Sequence, residues 1–103
     1  MLPVSVPRYI HTWLKSRDRI IYGSLNDQVT YSAEQFLKNP TLASVALDYN
    51  IGDVQMMSLD LTLDLRVRLR NYAKPRGLSL GDIIRLALLA EHSKEKEGEV
   101  KTL

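Results

Sequence analysis

Cysteine is absent from the 103-residue sequence, which excludes disulfide bonds, thiol catalysis and zinc-finger ligation. Histidine occurs only at His11 and His92, far apart and without a carboxylate cluster, so no metal site is predicted. The longest uncharged apolar run, Leu86–Ala90, is too short to span a bilayer, and no signal peptide is visible. We therefore expect no membrane partner and a cytoplasmic location, in a prokaryotic cell or a virus-infected host cell.

Catalytic motifs are missing as well. The sequence has no glycine-rich phosphate loop, no nucleophile paired with a base, and no two carboxylates placed for acid–base chemistry. It predicts neither an enzyme nor a bound cofactor.

Apolar residues make up 45% of the chain and charged residues 25%, as in folded proteins of this size. The net charge is only +2, but its distribution is uneven. An acid-free basic run lies between Leu65 and Arg76, and consists of Arg66, Arg68, Arg70, Lys74 and Arg76. Such a run is typical of contact with a polyanion, and a solvated helix face is the alternative.

The second half of the chain predicts a strand followed by two helices. Met57, Leu59 and Leu61 alternate with Met56, Ser58 and Asp60, which is the period of a strand with one buried face. Helical spacing then begins, with Thr62 placed as the cap, and Gly77 supplies the break.

The next helix begins at Ser79, whose spacing to Asp82 is a variant of the capping box. It is apolar nearly all round as far as Ala90, so we expect it to be covered on several sides.

This order of elements resembles the ribbon-helix-helix family of Arc, MetJ and CopG. The matching residues are Met57, Leu59 and Leu61 in the strand, Leu65, Leu69 and Ala73 in the first helix, Gly77–Ser79 in the turn, and Ile84, Arg85, Ala87 and Leu88 in the second helix. The resemblance implies a mainly α fold with short strands, in which units pair through antiparallel ribbons. Because one such unit cannot bury enough surface alone, we expect a homodimer, or a higher oligomer on DNA.

The first half contains a weaker copy of this pattern at an offset of 55 residues. Leu2, Val4 and Val6 align with the strand positions Met57, Leu59 and Leu61, and Ser24 aligns with Ser79. Two units in one chain would be similar to the tandem regulators of archaeal viruses. Chance alignment of two amphipathic segments stays open, because short periods recur easily.

Four segments follow from these patterns. They are a degenerate ribbon-helix-helix-like unit at 1–38, a connecting helix and linker at 39–55, the main unit at 56–92, and a charged flexible tail at 93–103. The connecting helix would begin with Asn39 as its cap and Pro40 in its first turn.

The resemblance implies that double-stranded DNA is the partner. The expected base-contacting residues are the outward ribbon positions Met56, Ser58, Asp60, Pro3 and Ser5. The expected phosphate-binding residues are the helix starts Ser79, Leu80, Gly81, Ser24, Leu25 and Asn26 and the basic run. These outward positions lack the Arg, Lys, Asn, Gln or Thr that family members usually present there, and Asp60 could instead pair with Arg66 or Arg68 at a protein interface.

The predicted function is a transcriptional regulator, with a repressor as the working assumption, that inserts a two-stranded ribbon in the major groove. Two alternatives stay open. One is an antitoxin-like module that binds a partner protein, and the other is a nucleoprotein that coats DNA without sequence preference.

Overall fold

The structure is a computed structural model that describes the backbone of residues 1–40 and 53–101, and side chains within those ranges up to Glu95. Its elements are strand β1 (Leu2–Pro7), helices α1 (Arg8–Ser16), α2 (Arg19–Tyr22) and α3 (Leu25–Lys38), strand β2 (Val54–Leu59), helix α4 (Leu63–Ala73), a 3-10 turn (Lys74–Arg76) and helix α5 (Leu80–Lys101). The described chain is mainly helical with a two-stranded antiparallel sheet.

The two strands pair with each other inside one chain. β1 runs antiparallel to β2, with Val4 opposite Met57 and Ser5 opposite Met56. Val4 and Met57 are buried while Met56 is exposed, so the period-2 alternation separates an inner face from an outer face. A lone strand leaves its backbone groups unpaired, and here the strand from the other half of the sequence satisfies them.

Positions 55 residues apart have similar environments in the two halves. A strand is present where the repeat requires one, at Leu2–Pro7, and Pro3 pairs directly with Ser58, which lies 55 positions later. The apolar pairs buried at both positions are Val4 and Leu59, Val6 and Leu61, Ile10 and Leu65, Leu14 and Leu69, Val29 and Ile84, and Ala33 and Leu88. The predicted pair Tyr31 and Leu86 does not match, because Tyr31 is exposed and Leu86 is buried. Gln28, which interrupts the apolar pattern at the position matching Ile83, is also buried, and its amide donates to the Leu14 carbonyl at 3.0 Å.

Helix starts follow the predicted caps. Thr62 Oγ1 accepts from the Leu65 amide at 3.2 Å, which begins α4. Ser24 Oγ accepts from the Asp27 amide at 3.1 Å and the Asp27 carboxylate accepts from the Ser24 amide, which makes a complete capping box at α3.

Helix α5 forms the centre of the core. Its side chains from Ile83 to Ala90 are buried except for Arg85, which is half-buried. Helices α3 and α4 and the ribbon pack around it. The prediction that this helix is covered on several sides is confirmed, and the covering elements belong to the same chain.

Two predicted boundaries are wrong. β2 begins at Val54 rather than Met56, because β1 continues to Pro7 and supplies Val54 with a partner. α5 does not end at His92 but runs to Lys101, since Lys and Glu are good helix formers and Glu95 forms an ion pair with Arg17 at 3.5 Å. Residues 93–101 are therefore helical rather than a flexible tail.

Asn39 is the C-terminal cap residue of α3, where its amide donates to the Gln35 carbonyl at 3.1 Å. Beyond Asn39 and Pro40, the predicted connecting helix falls on residues 41–52, outside the described part of the chain. Among the described helices, none combines the length and the apolar character needed to cross a membrane.

Candidate nucleic-acid interface

The outer face of the ribbon carries the residues predicted to face DNA. Pro3, Met56, Ser58 and Asp60 are exposed and Ser5 is half-buried. Met56 leaves 57% of its surface exposed, whereas Met57 on the inner face leaves 5%. The predicted orientation of these positions is therefore confirmed, and their contact with DNA stays a prediction.

The N-terminus of α3 is tied to the end of the ribbon by Asn26. Its Oδ1 accepts from the Asp60 amide at 2.7 Å, and its Nδ2 donates to the Asp60 carbonyl at 3.1 Å. Both bonds go to the backbone, so Asn26 completes the ladder as another strand would. The start of α3 is thereby held beside the exposed face.

The N-terminus of α5 is tied to the ribbon in a corresponding way by Arg85. Its Nη1 donates to the Ser5 carbonyl at 3.0 Å, and its guanidinium also pairs with Asp82. Ser5 lies 55 positions before Asp60, the residue directly after β2, so the two side chains bond matching points of the repeat. Gly81 occupies the position that matches Asn26, and a Cβ there would lie 3.4 Å from Arg85 Nη1, at van der Waals contact. Gly81 has no side chain to bond the ribbon, and Arg85, one turn further along α5, makes the bond instead.

Asp82 completes the cap of α5. Its amide donates to Ser79 Oγ at 3.1 Å and its carboxylate accepts from the Ser79 amide at 3.0 Å. The Ser79 amide and then the Arg85 guanidinium hold the pKa of Asp82 below its ordinary value, against the opposing effect of burial. The carboxylate is therefore charged at neutral pH.

The first amides of α3 and α5 precede the main-chain hydrogen bonds of their helices and give each start a positive end. Leu25 and Asn26 supply these amides in α3, and Leu80 and Gly81 supply them in α5. An anion can bind at such a helix start, which is the chemistry that the sequence predicted for these residues.

A cleft of about 390 Å³ joins the α3 start to the ribbon. Ser24, Asn26 and Ser58 line it together with two cationic side chains, Lys15 and Arg19. These cations bring positive charge to the predicted phosphate site. Sequence reasoning missed both, because it gave weight to the acid-free run after Leu65 and none to isolated charges near Ser24.

The basic run of α4 is only partly available to a polyanion. The Arg68 guanidinium bonds Asp64 at 3.1 Å and Glu34 at 3.2 Å, so its charge is already paired. Within the described part of the chain, Asp60 forms no ion pair with Arg66 or Arg68, and a pairing at a protein interface stays a prediction. Arg66 is half-buried, while Arg70, Lys74 and Arg76 are exposed.

The end of this run lies away from the ribbon. Arg76 stacks on Tyr72 with its guanidinium carbon 3.7 Å from the ring centroid, and Tyr72 packs edge-on against Phe36. Phe36 is ten residues along α3 from Asn26, or about 15 Å at the helical rise. The charges at Lys74 and Arg76 are therefore remote from the exposed strand face.

Three aromatic residues of the first half, Tyr9, Trp13 and Tyr31, differ in exposure. Trp13 is half-buried and packs edge-on against His92 at 5.0 Å, whereas Tyr9 and Tyr31 are 54% and 55% exposed. Of the two places that the sequence suggests for these aromatics, the core or an interface, Tyr9 and Tyr31 do not lie in the core, and an interface role stays a prediction.

Across the described residues, no three histidine or carboxylate side chains gather closely enough to hold a metal ion. Comparison with known proteins gives no match to a family model, a curated protein or a solved structure. Only the chain's own geometry therefore bears on its function.

Proposed function

We propose that this chain is a DNA-binding transcriptional regulator built from two ribbon-helix-helix units in tandem, whose single intrachain ribbon enters the major groove. One observation carries the proposal. Strands from the two halves of the sequence form one exposed antiparallel ribbon, and a capped helix start is tied to each strand, through Asn26 to Asp60 and through Arg85 to Ser5.

The tandem arrangement is supported by the 55-residue offset. The caps Ser24 and Ser79 and several buried side chains recur at this spacing, and the pairing of Pro3 with Ser58 is what a twofold axis between equivalent strands requires. Ser5 and Asp60, whose backbones Arg85 and Asn26 bond, are also 55 residues apart, although the two bonding side chains are not equivalent in the repeat.

The major groove, about 12 Å wide, accepts a two-stranded ribbon. With the ribbon inserted, the starts of α3 and α5 flank it and can hold phosphates on the two sides of the groove. Lys15 and Arg19 strengthen the side next to α3. These contacts supply most of the affinity in the proposal, because the ribbon itself carries no cation between Leu2 and Pro7 or between Val54 and Leu59.

In a protein with a single ribbon-helix-helix unit, a second copy of the chain is needed to complete the ribbon, and in this proposal it is not. The ribbon is complete within one chain, so a homodimer would bring a second ribbon to the next turn of DNA rather than complete the first. Cytoplasmic action as a repressor is part of the same proposal.

The test is fluorescence anisotropy of the full chain with labelled duplexes from its own promoter region, at increasing salt. We expect binding whose log affinity falls linearly with log salt, since phosphate contacts release counterions. The double variant Lys15→Gln/Arg19→Gln should bind more weakly and with a slope smaller by about 1 to 2.

The matched control is Lys74→Gln/Arg76→Gln, which removes the same charge from the end of the basic run that lies away from the ribbon. It should bind nearly as the unmodified chain does. Equal weakening by both double variants would mean that binding follows net charge and not this interface, and no binding at low salt would overturn the proposal.

An antitoxin-like protein-binding module is the second candidate, and one observation favours it. Ile20 and Ile21 are 95% and 72% exposed on α2, beside a cleft that Arg17 and Tyr22 help to line. Exposed apolar groups of this kind are typical of protein contacts. Co-purification with a small partner protein that is lost in Ile20→Ser/Ile21→Ser would support this role.

A further inference from the structure

The outer face of the ribbon is short of hydrogen-bonding groups. Pro3 has no polar side-chain atom, and Met56 offers only a weakly accepting thioether. Gln55 has the only amide side chain in the two strands, and it pairs with Val6, a position of the inner face. Its Oε1 accepts from Arg8 at 3.2 Å and its Nε2 donates to the Met56 carbonyl at 3.3 Å. The side chain best suited to bond a base edge is therefore already hydrogen-bonded within the protein.

The other polar groups of this face add little. Ser5 Oγ donates to Met56 Sδ at 3.7 Å, which directs its hydrogen across the ribbon to the facing residue. Ser58 is exposed, and no hydrogen bond from its hydroxyl to another described residue occurs. Asp60, directly after β2, carries an exposed carboxylate that can only accept, and its negative charge is repelled by phosphates. One free serine hydroxyl and one carboxylate discriminate weakly among the donor and acceptor patterns of base pairs.

An apolar surface in the major groove has one complementary group there, the 5-methyl group of thymine. Against guanine or cytosine the same surface would cover polar edges without bonding them, at a free-energy cost. Pro3 pairs with Ser58, which is two residues from Met56 along β2, so Pro3 and Met56 are diagonal neighbours across the ribbon. Such neighbours are about 7 to 8 Å apart, which matches about two base-pair steps, so the two side chains can meet methyl groups about two base pairs apart.

We propose that the ribbon recognises 5-methyl groups of pyrimidines in the major groove, with Met56 and Pro3 as the specificity-determining residues. This inference rests on the proposed DNA-binding function. In this inference, apolar contacts of the ribbon determine which DNA sequence is preferred, and phosphate contacts at the starts of α3 and α5 supply most of the binding affinity.

The experiment compares duplexes that differ only in this methyl group. A 24-base-pair alternating adenine–thymine duplex is measured against the same duplex with deoxyuridine in place of thymine, which leaves phosphates and the minor groove unchanged. Each lost methyl contact should weaken binding about fourfold, so two contacts give a loss of about tenfold or more. A cytosine–guanine duplex should bind more tightly when its cytosines carry a 5-methyl group.

In the variant Met56→Ala, the ratio of affinity for the thymine duplex to affinity for the uracil duplex should fall at least threefold. Binding should still weaken with increasing salt, because the phosphate contacts are unchanged. Val67→Ala, which shortens a 44%-exposed apolar side chain on α4, is the matched control and should keep the ratio. Circular dichroism checks that each variant is folded.

Equal affinity for the thymine and uracil duplexes would overturn the methyl-recognition inference and leave DNA binding standing. Failure to bind any duplex at low salt would overturn the proposed function itself. A thymine preference that Met56→Ala and Pro3→Ala both leave unchanged would show that other residues read the methyl group, and would also overturn the assignment.

Discussion

Replacing Asn26 by alanine tests the tie between α3 and the ribbon. The change removes two hydrogen bonds to the Asp60 backbone, with donor–acceptor distances of 2.7 and 3.1 Å. It leaves the Ser24 cap and the Asp27 contact in place, so the helix itself should still form. The expected loss is therefore one of tertiary attachment.

The magnitude follows from those two bonds. At about 1 kcal/mol each they contribute about 2 kcal/mol, and the better helix propensity of alanine returns about 0.5 kcal/mol. Water can reach the freed Asp60 groups at this exposed end, which favours the lower part of the range. We expect the free energy of unfolding to fall by about 1 to 1.5 kcal/mol, and the midpoint temperature by about 5 to 10 °C.

Thermal and urea unfolding followed by far-UV circular dichroism measures both quantities. Asn71→Ala is the matched control, since Asn71 is an exposed asparagine within α4 and its replacement should change stability by no more than about 0.5 kcal/mol. If Asn26→Ala were as stable as Asn71→Ala, the Asn26–Asp60 bonds would not hold the helix to the ribbon, and the geometry of the candidate site would lose its basis.

Gly23→Ala should cost more than Gly77→Ala. Both glycines have positive φ, but a Cβ at Gly23 would lie 2.8 Å from Asp27 Oδ2 whereas one at Gly77 meets nothing within 4 Å; equal losses in urea unfolding would contradict this. Asp82, whose pKa is lowered in the folded chain, should stabilise the fold above about pH 4 and lose that contribution as pH falls through the lowered pKa. In Asp82→Asn the acid limb of the stability profile should be flatter, and an unchanged limb would refute this role. Leu88→Ala, at a fully buried position of α5, should lower the free energy of unfolding by about 2 to 5 kcal/mol, and a loss under 1 kcal/mol would mean that the core is not packed as described.

Local patterns predicted much of the second half and part of the first. The alternation of Met57 and Leu59 identified the buried face of a strand, and Ser24 and Ser79 were placed as caps because a cap depends on groups three residues away. The end of α5 was misjudged for a tertiary reason: Glu95 pairs with Arg17, which lies on the segment between α1 and α2.

The sequence by itself determined which side chains face inward and where helices begin, since both depend on periods of a few residues. Only the tertiary structure decided that β1 pairs with β2 inside one chain. It also decided that Asn26 bonds the backbone of Asp60, 34 positions away, and that Arg85 bonds the backbone of Ser5, 80 positions away. It also brought Lys15 and Arg19 to the cleft beside Ser58. Contacts between residues so distant in sequence depend on how the helices pack, and no local spacing encodes that.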